Sequence, residues 1–335
     1  MPIDPAAHCL LRSGPPRAGA TYDADIIILA LNRFAETMAA VDSAARQTGI
    51  NFHIWVLDQG SDHEVREAFA DAFSGFENLS FFAIDKNLGV AAGRNFLSSL
   101  GRGRVIVGID NDAVFADETV VARAVRAFAD TGNLGALGFK ILARDGAEPD
   151  RTSWGYPIQL LGRLHGRFDS VTFVGAGHAI RRTAWAAAGG YDDRLFFTWE
   201  ELDFCLRAIA LGWIVRYDGS LGVIHNVSSE SRVRWNVART RLFVRNRLLI
   251  ARRWRASWLV LVPRILGYLL RGVREGGAPA TMRGIIDAVR YDRSQPKTVM
   301  PAAMRRYIRD NDLRYRGSFL DRMRDEIFGP ARVDL

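Results

Sequence analysis

Between residues 25 and 112 the chain alternates short apolar runs with amphipathic stretches, and this alternation limits its possible folds more than any other feature. Asp25-Ile26-Ile27-Ile28-Leu29-Ala30-Leu31 is β-branched and short, as a buried parallel strand should be. Phe52–Asp58, Leu79–Ile84 and Arg104–Ile109 repeat the pattern. Helical stretches separate them: Phe34 to Thr48, a second ending near Phe73, and Gly89 to Leu100. Strands that alternate with helices predict βαβ units, right-handed crossovers and an α/β fold with a mostly parallel central sheet.

Further along the pattern is mixed. Leu134–Leu142 reads as a strand, residues 144–167 as an excursion rich in Gly, Pro and Arg, and Val171–Ile180 as extended. Thr183–Ala188 and Leu202–Leu211 read as helices, and Trp213–Tyr217 and Leu221–His225 as two strands. A long helical region follows from Arg232 to Arg271, with a break or kink expected at Pro263. The domain reading is a loose leader over 1–24, a catalytic body over 25–230 and a basic helical region over 231–335. Two distant cysteines, Cys9 and Cys205, exclude a disulfide scaffold and a Cys-rich zinc site. No secretory signal pattern opens the chain, and no run reaches the ~18 apolar residues of a membrane span.

In a sheet of this kind ligands sit beyond the carboxyl ends of the strands. Asn32 and Arg33, Asp58, Asn87, and Asp110 with Asp112 all fall there. Each has an alternative reading as a turn former or helix cap. Four strand ends that converge on one rim with acids and amides favour a binding site.

Asp110-Asn111-Asp112 directly follows a strand, so its two carboxylates can enter one pocket. Hard oxygens suit Mg²⁺ or Mn²⁺, which binds through a few carboxylates and substrate phosphates. Phe196-Phe197-Thr198-Trp199 precedes Glu200, Glu201 and Asp203, which open a helix. Aromatic faces suit a sugar ring, and acids at a helix N-terminus stay ionised, as a general base must. Asp203 and Arg207 are spaced i,i+4 and read equally well as a helix salt bridge. His225 ends a strand and offers an imidazole ligand; His178, in a Gly-rich stretch, could touch phosphate.

Taken in order, these segments resemble the family 2 glycosyltransferases of the GT-A fold, and most of all a rhamnosyltransferase-like subgroup. The resemblance rests on Val56-Leu57-Asp58-Gln59-Gly60-Ser61, on Asn87-Leu88-Gly89 through Arg94-Asn95, and on Ile109-Asp110-Asn111-Asp112. It continues through Gly175–Arg182, Gly189-Gly190-Tyr191-Asp192, Trp199–Arg207 and His225, and covers roughly residues 25–250. It implies a Rossmann-like nucleotide-sugar-binding domain with a nucleoside-diphosphate sugar as donor. Asn32, Asp58, Asn87, Arg94 and Asp110 would line the nucleotide side, and Asp110, Asp112 and His225 would hold Mg²⁺ or Mn²⁺. Glu201 stands where the family's Glu-Asp pair has its base; it is Glu here, so Glu200 and Asp203 stay open as substitutes. The implied reaction is inverting hexosyl transfer to a glycan or lipid-linked acceptor in cell-envelope or exopolysaccharide synthesis. The competing enzyme reading, a sugar nucleotidyltransferase, wants a glycine-rich loop after the first strand, and Leu31-Asn32-Arg33-Phe34-Ala35 has no glycine. A non-catalytic carbohydrate-binding relative would have no use for Asp110, Asp112, Glu201 and His225 together.

The charge is unevenly divided. Residues 231–335 carry 24 Lys or Arg and 9 Asp or Glu, a net +15, against a net −7 for residues 1–230. Arg232–Arg255 alone holds nine arginines and no acid, interleaved with apolar residues. Residues 231–271 therefore suit an anionic membrane surface, or a helix packed on the body with its arginines in water. No motif for nucleic acid accompanies the charge. The expected location is cytoplasmic, peripheral to the inner face of the membrane.

Overall fold

In the computed structural model, which describes residues 9–14, 21–226, 237–292 and 297–328, the first strand lies where a loose leader was expected. β1 (Cys9–Ser13) pairs antiparallel with the edge strand β4 described below. The rest of the leader before residue 21, except Gly14, lies outside the described residues.

The predicted alternation then holds. β2 (Ala24–Ala30), β3 (Phe52–Gln59), β4 (Leu79–Ile84) and β5 (Val105–Asp110) alternate with α1 (Phe34–Ala45), α2 (His63–Phe73) and α3 (Gly89–Leu100). β6 (Ala113–Phe115), α4 (Val120–Asp130), β7 (Leu134–Leu142), β8 (Arg167–Ser170), β9 (Gly177–Arg181) and α5 (Arg182–Ala188) follow. α6 (Glu200–Ala210) leads into β10 (Ile214–His225). The two strands expected over 213–225 are this single strand, which bulges between Asp218 and Gly222.

The sheet order is β1-β4-β3-β2-β5-β9-β7-β10-β6, with β8 also on β10. β4, β3, β2 and β5 are parallel neighbours, and β10 is parallel to β7. β9 runs antiparallel between β5 and β7, so six strands point one way and their carboxyl ends share a rim. Period-two alternation supplies both faces. Ile26 and Ile28 join the core beneath α1, α2 and α4, while Ile27, Trp55 and Leu57 face α3, α5 and α6.

The C-terminal helices are α7 (Val237–Arg253), α8 (Trp258–Arg274), α9 (Ala278–Asp292), α10 (Ala302–Asn311) and α11 (Phe319–Phe328). The helical region does not break at Pro263, which sits inside α8; the break falls before it, where Arg255 takes a φ of 50°. The expected start at Arg232 lies outside the described residues. Phe243, Leu248, Ile250, Leu261, Tyr268 and Met304 belong to the same core cluster as Trp55, Leu57 and Phe204. The basic region therefore packs on the body, and one hydrophobic core spans both.

Candidate active site

β5 ends at Asp110, and the tight turn into β6 brings Asp112 back over the rim. β6 pairs antiparallel with the end of β10, which sets His225 opposite Ala113. The Asn226 amide donates to the Asp112 carbonyl at 2.7 Å and locks this register. One ligand atom from each of Asp110, Asp112 and His225 then lies within 4.8 Å of the other two. Two carboxylates and an imidazole form a donor set suited to Mn²⁺ or Mg²⁺.

The charges around this cluster are matched. His225 Nε2 stands 3.3 Å from Asp112 Oδ1, and Nδ1 stands 3.4 Å from Asp150 Oδ2. Burial alone would lower the imidazole's pKa, but hydrogen bonds to Asp112 and Asp150 and the charge of Asp110 raise it to about 10. Burial opposes the ionised form of Asp112, yet His225 and Arg33 hold its carboxyl below the usual range. Arg33 Nη1 donates to Asp112 Oδ2 at 2.6 Å. The ring thus carries positive charge between carboxylates, where a divalent ion would displace its proton.

Arg94 connects this cluster to the acids of α6. Its buried guanidinium donates to Asp110 Oδ1 at 2.8 Å, to the Gly175 carbonyl at 2.9 Å and to Glu201 Oε1 at 3.2 Å. A side chain at position 175 would collide with the Glu201 carboxylate, so the close approach requires glycine there. Burial raises the Glu201 carboxyl above its usual pKa, with Arg94 pulling against it.

Glu201 is aimed by a contorted loop. Phe196, Thr198 and Trp199 all take positive φ, of 63°, 72° and 70°, which costs side-chain-bearing residues of order 1–3 kcal/mol each. Helix α7 holds the loop in that shape. The fully buried Asn246 donates through Nδ2 to the carbonyls of Leu195, Phe197 and Thr198, each at 2.9 Å. Trp199 Nε1 donates to the Phe243 carbonyl at 3.1 Å, so this indole is a buried anchor and not a sugar platform. Phe196 is exposed and Phe197 half-buried.

The other two acids are placed differently. Asp203 is fully buried between Arg207, at 2.9 Å, and Arg253 of α7. Glu200 is buried, and its Oε2 has no hydrogen-bond partner. Burial and the neighbouring Glu201 push its pKa well up.

The sequence pattern of the family described as "Glycosyl transferase family 2" matches residues 25–188. Those residues form a family 2 glycosyltransferase domain. An uncharacterized protein of Haemophilus influenzae is 27% identical over 173 residues, 49% of this chain and 90% of that protein. Three solved structures share the fold at low identity. The Pyrobaculum calidifontis mannosyltransferase PcManGT, in complex with GDP-Man and Mn²⁺, superposes with a TM-score of 0.52 at 16% identity, over 92% of this chain and 79% of that one. GalNAc-T7 with UDP, GalNAc and Mn²⁺ gives 0.60 at 12% identity, over 93% of this chain and 59% of that one. S. aureus TarS residues 1–349 gives 0.50 at 13%, over 82% and 92%. These are GT-A glycosyltransferases, and the likeness establishes the fold.

The expected donor-side residues of this glycosyltransferase domain sit on the same rim. Asn32 Oδ1 accepts from the Asp62 amide at 3.0 Å, tying the end of β2 to the end of β3. Asp58 is fully buried and accepts from the Ser61 amide at 3.3 Å, and burial raises its pKa. Asn87 Oδ1 accepts from the Gly89 amide at 2.8 Å, a turn that leads into α3. Arg94 lies deeper than expected, between the metal-side carboxylate and Glu201. His178 does not reach the rim: it is buried on β9, stacked 4.6 Å from Phe173.

Asp150 and Asn246 have no counterpart in the sequence reading. Asp150 lies in the excursion after β7, where it also caps a short turn through Thr152 and Ser153. Asn246 is one polar residue in an arginine-rich helix, and nothing local in the sequence marks it as a clamp.

Proposed function

We propose that the chain is an inverting, metal-dependent hexosyltransferase, moving a sugar from a nucleoside-diphosphate donor to a hydroxyl of a glycan or lipid-linked acceptor in envelope polysaccharide synthesis. The observation that carries this reading is the linkage of the Asp110–Asp112–His225 cluster to Glu201 through Arg94. Two solved neighbours that hold Mn²⁺ with GDP-Man, or with UDP and GalNAc, support the donor class.

A divalent ion held by Asp110, Asp112 and His225 would neutralise charge on the departing nucleoside diphosphate. Asp58 and Asn32 line the nucleoside side of the rim, and Asn87 shapes the turn beside them. Glu201 accepts the proton of the acceptor hydroxyl; its raised pKa makes it a stronger base. The acceptor oxygen bonds to the anomeric carbon as the bond to the diphosphate breaks, which inverts that centre. Glu200 has no link to Arg94 like that of Glu201, and Asp203 is committed to two arginines. Arg94 holds the carboxylates of Asp110 and Glu201 at a fixed separation.

The outer face of α8 supports a membrane-facing role. Trp258, Leu259, Val262, Leu266, Leu270 and Val273 form one helical stripe, and Leu259 and Val273 are 83% and 71% exposed. Among the described residues no helix is long and apolar enough to cross a membrane. An apolar stripe in a region of net +15 suits a helix lying in the plane of an anionic bilayer. The reading is a peripheral enzyme on the cytoplasmic leaflet.

A panel of nucleoside-diphosphate sugars, assayed for hydrolysis and transfer with Mn²⁺, tests the proposal. Turnover of one donor with an inverted product by NMR is expected. No turnover of any donor, or a retained configuration, overturns it.

A further inference from the structure

Away from the candidate active site, a polar cavity of about 310 Å³ is lined by residues of β8, β10 and the segments beside them. Three separate segments converge on it. The excursion before β8 brings Arg163 and Arg167, β10 brings Arg216, and the turn after α10 brings Arg314 and Tyr315. Along the β7–β10 register Arg216 lies opposite Leu137 and Ile224 opposite Leu142, so the cavity is roughly 20 Å from His225 at ~3.3 Å per residue. The cluster around Asp110 and Asp112 therefore cannot share a ligand's phosphate with it.

Four guanidinium groups around one cavity repel each other unless anions offset them. Two are offset within the fold: Arg167 pairs with Asp218 at 2.7 Å, and Arg216 with Asp169 at 2.8 Å. The other two lie over aromatic rings, and each also donates one Nη2 N–H within the fold, Arg163 to the Arg167 carbonyl and Arg314 to the Tyr315 hydroxyl. The Arg163 guanidinium lies 5.6 Å over Phe168, and that of Arg314 lies 4.5 Å over Tyr315. Among the described residues, no carboxylate pairs with either. Stacking fixes a guanidinium's plane while leaving N–H groups for a further acceptor. Two oriented, uncompensated positive charges at one opening match a doubly charged oxyanion, and arginine forks bind phosphate oxygens in pairs.

We propose that this cavity binds a phosphate group through Arg163 and Arg314, separately from the glycosyl-transfer centre. The phosphate is a monoester or its equivalent, on a soluble ligand or on a lipid headgroup.

Calorimetry on the full chain tests this with inorganic phosphate and pyrophosphate, at low salt and with a chelator present. Three proteins are compared: wild type, Asp112→Ala and the double variant Arg163→Gln/Arg314→Gln. Both arginines are exposed, so the double variant should melt as wild type does. The expected result is at least a tenfold loss of affinity in the double variant and none in Asp112→Ala. Equal affinity in wild type and double variant overturns the proposal, as does loss in Asp112→Ala alone. Flotation with phosphatidic acid against phosphatidylglycerol vesicles separates the sources. A preference for phosphatidic acid that the double variant loses assigns the lipid headgroup. The calorimetric loss with equal flotation on both vesicles assigns a soluble phosphate.

Discussion

Asp150 Oδ2 lies 3.4 Å from Nδ1 of His225, while the same ring turns Nε2 toward Asp112 at 3.3 Å. Asp150 is itself held by Thr152 and Ser153, and these hydrogen bonds, with that of His225, keep its carboxyl ionised despite burial. A carboxylate behind a ligating histidine fixes the ring's tautomer and orientation. Asp150→Asn should therefore weaken Mn²⁺ binding ~10–100-fold by calorimetry and leave the fold intact. Unchanged affinity would remove Asp150 from the site.

Asp112 both faces His225 and accepts from Arg33, so its loss removes one candidate ligand and the carboxylate that pairs with Arg33, while His225 keeps Asp150. Asp112→Ala should abolish metal-dependent binding of the nucleotide donor. A variant that binds the donor as tightly as wild type in the presence of Mn²⁺, by calorimetry, would contradict the metal assignment.

Glu201 and Asp203 are separable by the kind of damage they do. Glu201→Gln keeps the shape and removes the proton acceptor, so turnover should fall ~10²–10⁴-fold while donor affinity survives. Asp203→Asn takes the shared charge from the half-buried Arg253 and Arg207, of which Arg253 keeps Asp192, a loss of about 1–3 kcal/mol in stability. Thermal melting and single-turnover rates read the two effects. Near-normal turnover in Glu201→Gln would show the wrong acid had been chosen.

Removing the C-terminal region is not a clean test of membrane binding, because Asn246 and Phe243 hold the loop that aims Glu201. Substitution on the outer stripe of α8 is cleaner. Leu259→Glu with Leu266→Glu should abolish flotation with anionic vesicles and preserve the melting temperature. Equal flotation of both proteins would leave the stripe for another occupant, such as a second copy of the chain, which sedimentation would detect.

Burial lowers the pKa of His53 to about 4, so it stays neutral in the folded state at pH values where the unfolded chain binds a proton. Below the unfolded value near 6.5 the unfolded state takes up that proton, and stability falls until about pH 4. The slope from one such group is at most about 1.4 kcal/mol per pH unit, rising with pH. His53→Gln should flatten the wild-type curve by that share over pH 4 to 6.5, measured by urea unfolding. Identical slopes would mean that His53 is protonated in the folded protein.

The βαβ half was legible because β-branched runs such as Ile26-Ile27-Ile28 and Phe52–Leu57 report their burial directly. The rim acids were legible because strand ends mark them. β1 was not, since five residues in a Pro- and Gly-rich leader gain their order only by pairing with β4. β6 is three residues long, too short for alternation to appear. Trp199 looked like a sugar platform because sequence cannot tell an aromatic that faces the pocket from one that faces α7. Arg94, placed at the nucleotide by resemblance, instead joins two carboxylates that lie 91 residues apart in the sequence.

The Asn246 clamp also imposes an order on assembly. Asp110 and Asp112 can take their places once β5 and β6 have formed, and His225 once β10 has paired with them. The segment from Phe196 to Trp199 has no such independence, since its left-handed backbone is paired from a helix that the ribosome delivers some 50 residues later. A nascent chain halted before residue 246 would hold the Asp110–Asp112–His225 cluster but not the aim of Glu201. With Glu201 in its proposed role, activity would switch on only after α7 has arrived, and would report that arrival.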